Sequence, residues 1–317
     1  MDIFREVLDA EKRIRPYILK TPLIESKDLG DLINGKVYLK LESEQYTGSF
    51  KARGSLNKIL SLNEKDKEKG VITASTGNHA LGYARALEIA RVKGKAYLPE
   101  NASRAKVAAL KKYPVEIQFH GFDCLVTELH AKERARIEDK IWVSPYNDSK
   151  VIGGQGTIGI EIAEQLGEFD YLLATIGGGG LISGVGTYLK KINAATRMVG
   201  CEPEYSPEMT LSLEAGRIVE FEEAKETLSD ASAGGIEEGA ITFPVCQSIV
   251  NKTVLVNEQE IESAIRFMAY KHHKIIEGAA GVALAGLIKN KEELKGSTAV
   301  IIISGSNIDI EKLKEII

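Results

Sequence analysis

The chain has 317 residues, of which 44% are hydrophobic and 27% are charged, so we expect a globular protein with a large core. Its net charge is −4 and no basic stripe with interleaved aromatic residues occurs, which argues against nucleic-acid binding. We find no secretory leader, no apolar run long enough to span a bilayer and only three scattered cysteines, so we expect a reduced, cytoplasmic protein without a membrane segment.

Short β-branched runs alternate with helical stretches, and this alternation predicts parallel α/β construction. The first series of elements ends with a strand at 141–143. After a helix at 157–166, a second series runs through a strand at 171–176, an acidic irregular stretch at 202–243 and a strand at 298–303. Because open parallel sheets bind ligands at the carboxyl ends of their strands, we predict two α/β units with a site between them.

Glycine is used more than average, with 30 residues where about 22 would be expected, and the excess is clustered. The run Gly177–Gly180 follows the predicted strand 171–176 and opens a predicted helix at 181–192. Such a run allows several backbone N–H groups to point at one anion, and the helix start adds its dipole. This arrangement predicts a phosphate site.

A second cluster matches the Gly-x-Gly-x-x-Gly pattern of dinucleotide-binding loops, at Gly154, Gly156 and Gly159. Only Val151 and Ile152 precede it as a possible strand, and no clear ribose-binding acid follows. A nicotinamide-dependent dehydrogenase is therefore a less favoured alternative.

Three polar motifs carry the candidate chemistry. Residues 45–54 read Gln-Tyr-Thr-Gly-Ser-Phe-Lys-Ala-Arg-Gly and place Lys51 at the start of a predicted helix. The helix dipole and nearby Arg53 both favour the neutral amine, which is the form that attacks an aldehyde. The motifs at 75–79 (Ser-Thr-Gly-Asn-His) and 304–307 (Ser-Gly-Ser-Asn) follow predicted strands, where an α/β ligand site is expected.

These motifs, in this order and with the tetraglycine run, resemble those of the fold-type II pyridoxal-phosphate enzymes, most closely the serine/threonine dehydratases and serine racemases. The resemblance covers essentially the whole chain and implies a tryptophan-synthase-β-like fold with two open parallel-sheet α/β domains. A large cofactor-binding domain would comprise residues 1–46 plus 146–317, and a small domain residues 47–145, with the active site between them.

The resemblance also implies a role for each matching residue. Lys51 would bind pyridoxal phosphate as a Schiff base and act as acid and base at the substrate α-carbon, with Thr76 as a second catalytic residue. The cofactor would also contact Phe50, Asn78, Gly177, Gly178, Gly179, Gly180, Leu181, Glu277 and Ser304. The amino-acid substrate would be bound by Ser75, Thr76, His79 and Gln155.

The activity that the resemblance implies is a dehydratase or ammonia-lyase. It would remove water from a small L-β-hydroxy amino acid of the serine, threonine or 3-hydroxyaspartate type, giving a 2-oxo acid and ammonia. Serine racemase on the same scaffold is the alternative, although racemases carry serine where this chain has Thr76. A homodimer is expected.

A family metal loop resembles residues 202–208, where Glu202, Ser206 and Glu208 would offer hard oxygen ligands suited to Mg²⁺ or Ca²⁺. A solvated acidic loop is an equal alternative. The pair Gly234 and Gly235 has no assigned role and lies in a loop on the substrate side.

Overall fold

The protein is described from a computed structural model that covers residues 1–75, 77–102, 104–122, 124–221 and 223–317, with only the backbone described at 104, 105, 124 and 125. The described strands form two sheets. The six-stranded sheet has the order β1 (Leu23–Glu25), β2 (Lys36–Leu41), β10 (Thr298–Ile303), β7 (Tyr171–Thr175), β8 (Arg197–Pro203) and β9 (Val250–Val256).

Neighbouring strands of this sheet are parallel, apart from the short edge strand β1, which pairs antiparallel with β2. Strand β10 lies inside the sheet, and its run Ala-Val-Ile-Ile-Ile is buried on both faces. Such a continuous apolar run is typical of a parallel strand that is covered by helices on both sides.

The second sheet has four parallel strands in the order β5 (Glu116–Phe119), β4 (Gly94–Leu98), β3 (Val71–Ala74) and β6 (Ile141–Trp142). All of these strands fall within residues 47–145, and the strands of the larger sheet fall outside that range. The division into two domains at those boundaries stays a prediction.

Helices cover both sheets, and the predicted α/β class with parallel sheets is confirmed. None of the described helices combines the length and the hydropathy needed to cross a membrane. In chain order the helices are α1 (Ile3–Ile14), α2 (Lys27–Ile33), α3 (Lys51–Leu60), α4 (Glu64–Lys69), α5 (Asn78–Ala90), α6 (Arg104–Leu110), α7 (Cys124–Ile137), α8 (Ser149–Leu166), α9 (Gly180–Ile192), α10 (Glu208–Ala215), α11 (Thr242–Ile249), α12 (Glu258–His272), α13 (Gly278–Lys289) and α14 (Ile310–Ile316).

Helix α8 begins at Ser149, well before the start predicted at 157, so the second glycine cluster lies inside a helix. A Cβ atom added at Gly154 would lie 2.7 Å from the carbonyl oxygen of Arg53 on α3, and one at Gly156 would lie 2.9 Å from that of Gly184 on α9. These glycines therefore allow close helix packing. Because the segment is the interior of a helix, it forms no dinucleotide-binding loop.

Substitution of Gly184 by alanine tests this packing. The added Cβ would lie 2.7 Å from the backbone nitrogen of Gly156, and rigid backbone cannot yield as a side chain can. We expect the free energy of unfolding in urea to fall by about 1–3 kcal/mol. The control is Gly235→Ala, where no atom lies within 4 Å of the added Cβ and stability should stay unchanged. Equal effects of the two substitutions would contradict the packing argument.

Candidate active site

Lys51 is the first residue of α3, and the segment before it is fixed to the end of β10. The backbone N–H of Phe50 donates to the carbonyl oxygen of Ser304 at 3.1 Å, and Ser49 forms an isolated bridge with Gly305. The Lys51 amine donates to the carbonyl oxygen of Pro145 at 2.8 Å. The amine is thereby held at the carboxyl ends of strands from both sheets.

Burial lowers the pKa of Lys51 to about 8, against the opposing charges of Glu128 and Glu277. The sequence predicted this direction but attributed part of it to Arg53. The structure shows that Arg53 is fully buried in a separate ion cluster, and the main cause of the shift is desolvation of the amine.

That ion cluster fixes α3 against the rest of the protein. The Arg53 guanidinium pairs with Glu42 at 2.7 Å and with Glu161 on α8 at 2.7 Å. Lys40 on β2 pairs with the same Glu161 at 2.6 Å, and all four side chains have no solvent exposure. Burial alone would raise the pKa of Glu161, but the charges and hydrogen bonds of Arg53 and Lys40 hold it at about 2.

A glycine loop connects β7 to α9 and forms one wall of the site. A Cβ atom at Gly177 would overlap the Ser232 carbonyl, and one at Gly178 would overlap the Tyr146 ring. Gly179 has a φ of 81°, a conformation that favours glycine, and it precedes the first turn of α9. The first N–H groups of this helix, including that of Leu181, have no partner within the helix and are available to an anion.

Asn78, at the start of α5, is fixed from two sides. Its side-chain nitrogen donates to both carboxylate oxygens of Glu277, at 2.7 and 2.9 Å, and its oxygen accepts from the Asn307 amide at 2.6 Å. Burial, with a smaller contribution from Asp230, raises the pKa of Glu277 to about 7 against these hydrogen bonds.

Two adjoining cavities meet at Lys51. The inner cavity, of about 200 Å³, is lined by the glycine loop, Phe50 and Ser304. The outer cavity, of about 440 Å³, is lined by Ser75 and the start of α5. The Ser304 hydroxyl is buried without a hydrogen-bond partner in the described part of the chain, so it is available to a ligand in the inner cavity.

The polar motif after β3 reaches the outer cavity in part. The Ser75 hydroxyl accepts from the N–H of Gly77 at 3.2 Å. The His79 ring is buried, with one nitrogen 3.0 Å from the Thr73 hydroxyl and the other 3.3 Å from that of Ser55. Burial and the Lys51 charge lower the pKa of His79 to about 3, so the ring is neutral. Thr76, the second predicted catalytic residue, lies outside the described residues.

Gln155 lies within α8, behind Lys51. Its side-chain oxygen accepts from the N–H of Gly54 at 3.2 Å, and the residue lines neither cavity. The structure therefore does not bring the Gln155 side chain together with the other predicted substrate residues, and it places this side chain between α8 and α3.

The structure does not support the predicted metal site. The Glu202 carboxylate accepts from the N–H groups of Met209 and Thr210, at 2.9 and 2.7 Å, so its oxygens cap α10. The Ser206 hydroxyl donates to Glu208 at 2.6 Å. Within the described residues, no group of three or more His, Cys, Asp or Glu side chains could hold a metal ion.

Sequence reasoning missed two side chains of the site, although it expected the loop with Gly234 and Gly235 on the substrate side. Tyr146 packs against Gly178 and accepts a hydrogen bond from the N–H of Glu237 at 2.9 Å. Glu128 on α7 lines both cavities, and the loop 231–235 lines the inner one. Tyr146 follows β6 at its carboxyl end, a position that could have identified it. Glu128 is one of many helical glutamates, so the sequence offered no signal.

The chain belongs to the family of pyridoxal-phosphate dependent enzymes, whose model matches residues 14–305. It is 38% identical to the L-threonine ammonia-lyase of Thermotoga maritima, over 100% of this chain and 78% of that protein. It is 36% identical to the catabolic L-threonine dehydratase of Escherichia coli, over 98% of this chain and 94% of that protein.

Solved structures agree with this assignment. A threonine deaminase (isoform 2) from Solanum lycopersicum matches with a TM-score of 0.94 and 33% identity, over 99% of this chain and 92% of that one. Serine racemase from Dictyostelium discoideum matches with a TM-score of 0.89 and 31% identity, over 97% of this chain and 99% of that one.

The first site prediction concerns the amine of Lys51 in the cofactor-free protein. Only the neutral amine attacks an aldehyde, so labelling by pyridoxal phosphate and borohydride should increase as pH rises, with a midpoint at about 8. A model lysine peptide, with an ordinary pKa of about 10.4, is the reference. Peptide mapping across the pH range gives the midpoint. If Lys51 and the peptide had the same midpoint, burial would not lower the pKa of Lys51.

The second site prediction concerns the ion cluster. Glu161→Gln would leave two buried cations with one carboxylate, so we expect the free energy of unfolding in urea to fall by about 3–5 kcal/mol. The pKa of Glu161 is lowered to about 2. Its contribution to the free energy of unfolding is therefore fully present above the ordinary carboxyl pKa of about 4.3, and it is lost as pH falls towards 2.

The control for this variant is Glu164→Gln on the same helix. Glu164 is 55% exposed and pairs with Lys20, so its loss should cost about 1 kcal/mol or less. If both variants lost the same free energy of unfolding, the buried cluster would contribute no more to stability than the exposed ion pair.

Proposed function

We propose that this protein is a pyridoxal-phosphate-dependent ammonia-lyase that removes water from a small L-β-hydroxy amino acid, of the serine, threonine or 3-hydroxyaspartate type, and releases a 2-oxo acid and ammonia. The inner cavity fits the cofactor: a lysine amine with a lowered pKa, an anion-binding glycine loop and an unpartnered hydroxyl face the same space. Lys51 would hold the aldehyde carbon, residues 177–181 the phosphate, and Ser304 the pyridine nitrogen.

The single observation that carries the proposal is the Ser304 hydroxyl. It is a neutral group, buried and unpartnered in the described part of the chain, at the end of β10. When bound, pyridoxal phosphate supplies an electron sink for negative charge at the substrate α-carbon. A neutral hydroxyl does not fix a proton on the ring as a carboxylate would. Ser304 would therefore leave the cofactor a weaker electron sink, which would favour loss of the β-hydroxyl from the substrate.

The chain's own groups account for proton transfer and substrate orientation. The Lys51 amine is neutral above about pH 8 and accepts the α-proton, while the Pro145 carbonyl orients it. The Ser75 hydroxyl and the free N–H groups at the start of α5 bind the substrate carboxylate. His79 would contribute its backbone N–H to this cradle, because its buried ring already contacts Thr73 and Ser55.

Similarity to threonine dehydratases over almost the whole chain supports the lyase, and similarity to serine racemases makes racemisation the competing activity. We further propose a homodimer in the cytoplasm, which sedimentation and fractionation would test. A metal ion is not part of the proposal, because the oxygens of Glu202 already cap α10.

The test uses purified protein loaded with pyridoxal phosphate. We expect a visible absorption band, borohydride label on Lys51, and 2-oxo acid from L-threonine and L-serine. Lys51→Ala should reduce kcat by about 10²-fold or more, since it removes the acid–base group. The exposed Lys65→Ala is the matched control and should leave kcat unchanged.

Two outcomes would overturn this proposal. One is a colourless protein or a label at another lysine. The other is D-serine as the main product from L-serine, found by chiral analysis, which would favour the racemase.

A further inference from the structure

Glu128 occupies the junction of the two cavities. It lies on α7 and lines both the inner and the outer cavity, as Lys51 and Asn78 also do. With the cofactor in the inner cavity and the substrate carboxylate at the start of α5, the substrate side chain would lie at this junction. The Glu128 carboxyl is therefore in a position to contact the β-substituent.

The other carboxylates that line the cavities have partners. Glu277 accepts from Asn78 at 2.7 Å, and Asp230 pairs with Lys106 at 2.9 Å. Asp309 accepts from the N–H of Glu311 at 2.9 Å. These carboxylates are thus already engaged without a ligand.

Glu128 differs from them. Its half-buried carboxyl makes no hydrogen bond within the residues that the structure describes, and Lys51, Lys132 and Glu237 are the charges that face it. Burial raises the pKa of Glu128 to about 7, with a smaller contribution from Glu237, as expected for a carboxyl without donors. A partly buried acceptor without a protein partner is stabilised when a ligand supplies a donor.

The positively charged side chains of the site also favour a substrate without a second carboxylate. Among the described residues that line the cavities, the lysines are Lys51, which carries the cofactor, and Lys106, which is bound to Asp230. The His79 ring is neutral. A second carboxylate on the substrate would lie beside Glu128 at the junction. Neither lysine is free to balance the negative charge of that carboxylate, because Lys51 carries the cofactor and Lys106 is bound to Asp230.

We propose that Glu128 sets the substrate class: its carboxylate accepts a hydrogen bond from the β-hydroxyl of a neutral amino acid and excludes amino acids that carry a second carboxylate. The inference rests on the proposed function and decides between its open substrates. Serine and threonine are accepted, and 3-hydroxyaspartate is rejected.

The test compares the cofactor-loaded wild type with Glu128→Gln, which keeps the shape and removes the charge. Turnover of L-serine, L-threonine and L-threo-3-hydroxyaspartate is measured as 2-oxo acid. We expect kcat/KM for L-serine to exceed that for 3-hydroxyaspartate by about tenfold or more in the wild type. The Gln variant should reduce this ratio by about tenfold or more.

Two further variants separate charge from structure. Glu128→Asp keeps the charge and should keep the rejection of 3-hydroxyaspartate. Glu133→Gln makes the same change on the same helix, at a side chain that is 52% exposed and lines neither cavity, and should leave the ratio unchanged. Melting temperatures of all variants establish that they fold.

A second readout needs no turnover. Binding of L-serine and L-aspartate is titrated through the visible spectrum of the cofactor-loaded protein. If no substrate gives a 2-oxo acid, the proposed function fails, yet preference for serine over aspartate and its loss in Glu128→Gln would still support the role of Glu128. The inference is overturned if the wild type prefers the dicarboxylic ligand, or if Glu128→Gln changes neither ratio by more than about twofold.

Discussion

The buried ion cluster around Arg53 constrains the position of the reactive amine. Removing four charged side chains from water costs several kcal/mol per ion, and only close pairing with good geometry offsets that cost. Arg53 meets this condition because Glu42 and Glu161 together accept from three of its nitrogens. Arg53 and Lys51 both lie in the first turn of α3. The contacts of Arg53 therefore also fix the position of this turn and the direction in which the Lys51 side chain points.

Desolvation then sets the charge state of the site itself. The same burial lowers the pKa of Lys51 to about 8 and raises those of Glu277 and Glu128 to about 7. Each change shifts a group towards its neutral form, so the cavity holds less fixed charge than its composition indicates. Oriented N–H groups at the starts of α5 and α9 are therefore the main electrostatic partners for a bound carboxylate and a bound phosphate.

The sequence identified the fold class, and it singled out Lys51, Asn78 and Ser304, which the structure places in the cavity linings, because strand–glycine–helix patterns and ordered motifs are local features of the chain. It could not identify what depends on distant contacts. Arg53 was expected beside the Lys51 amine, but its partner Glu161 is 108 positions away along the chain. The start of α8 was predicted at 157, after Gly154 and Gly156, for the same reason, since the close approach of α8 to α3 and α9 is visible only in three dimensions. Glu128 is distinguished from other helical glutamates only by the cavities beside it.

The residues predicted to bind a metal have a different structural role. The Ser206 hydroxyl donates to Glu208 and accepts from the N–H of Gly234, at 3.1 Å, in the loop that lines the inner cavity. Glu202 caps α10, whose residue Met209 packs against Gly179 of the glycine loop. The acidic segment thus supports both walls of the inner cavity with hydrogen bonds and packing. Gly234, with a φ of 125°, adopts a conformation that favours glycine, which explains why the loop carries this residue where it approaches Ser206.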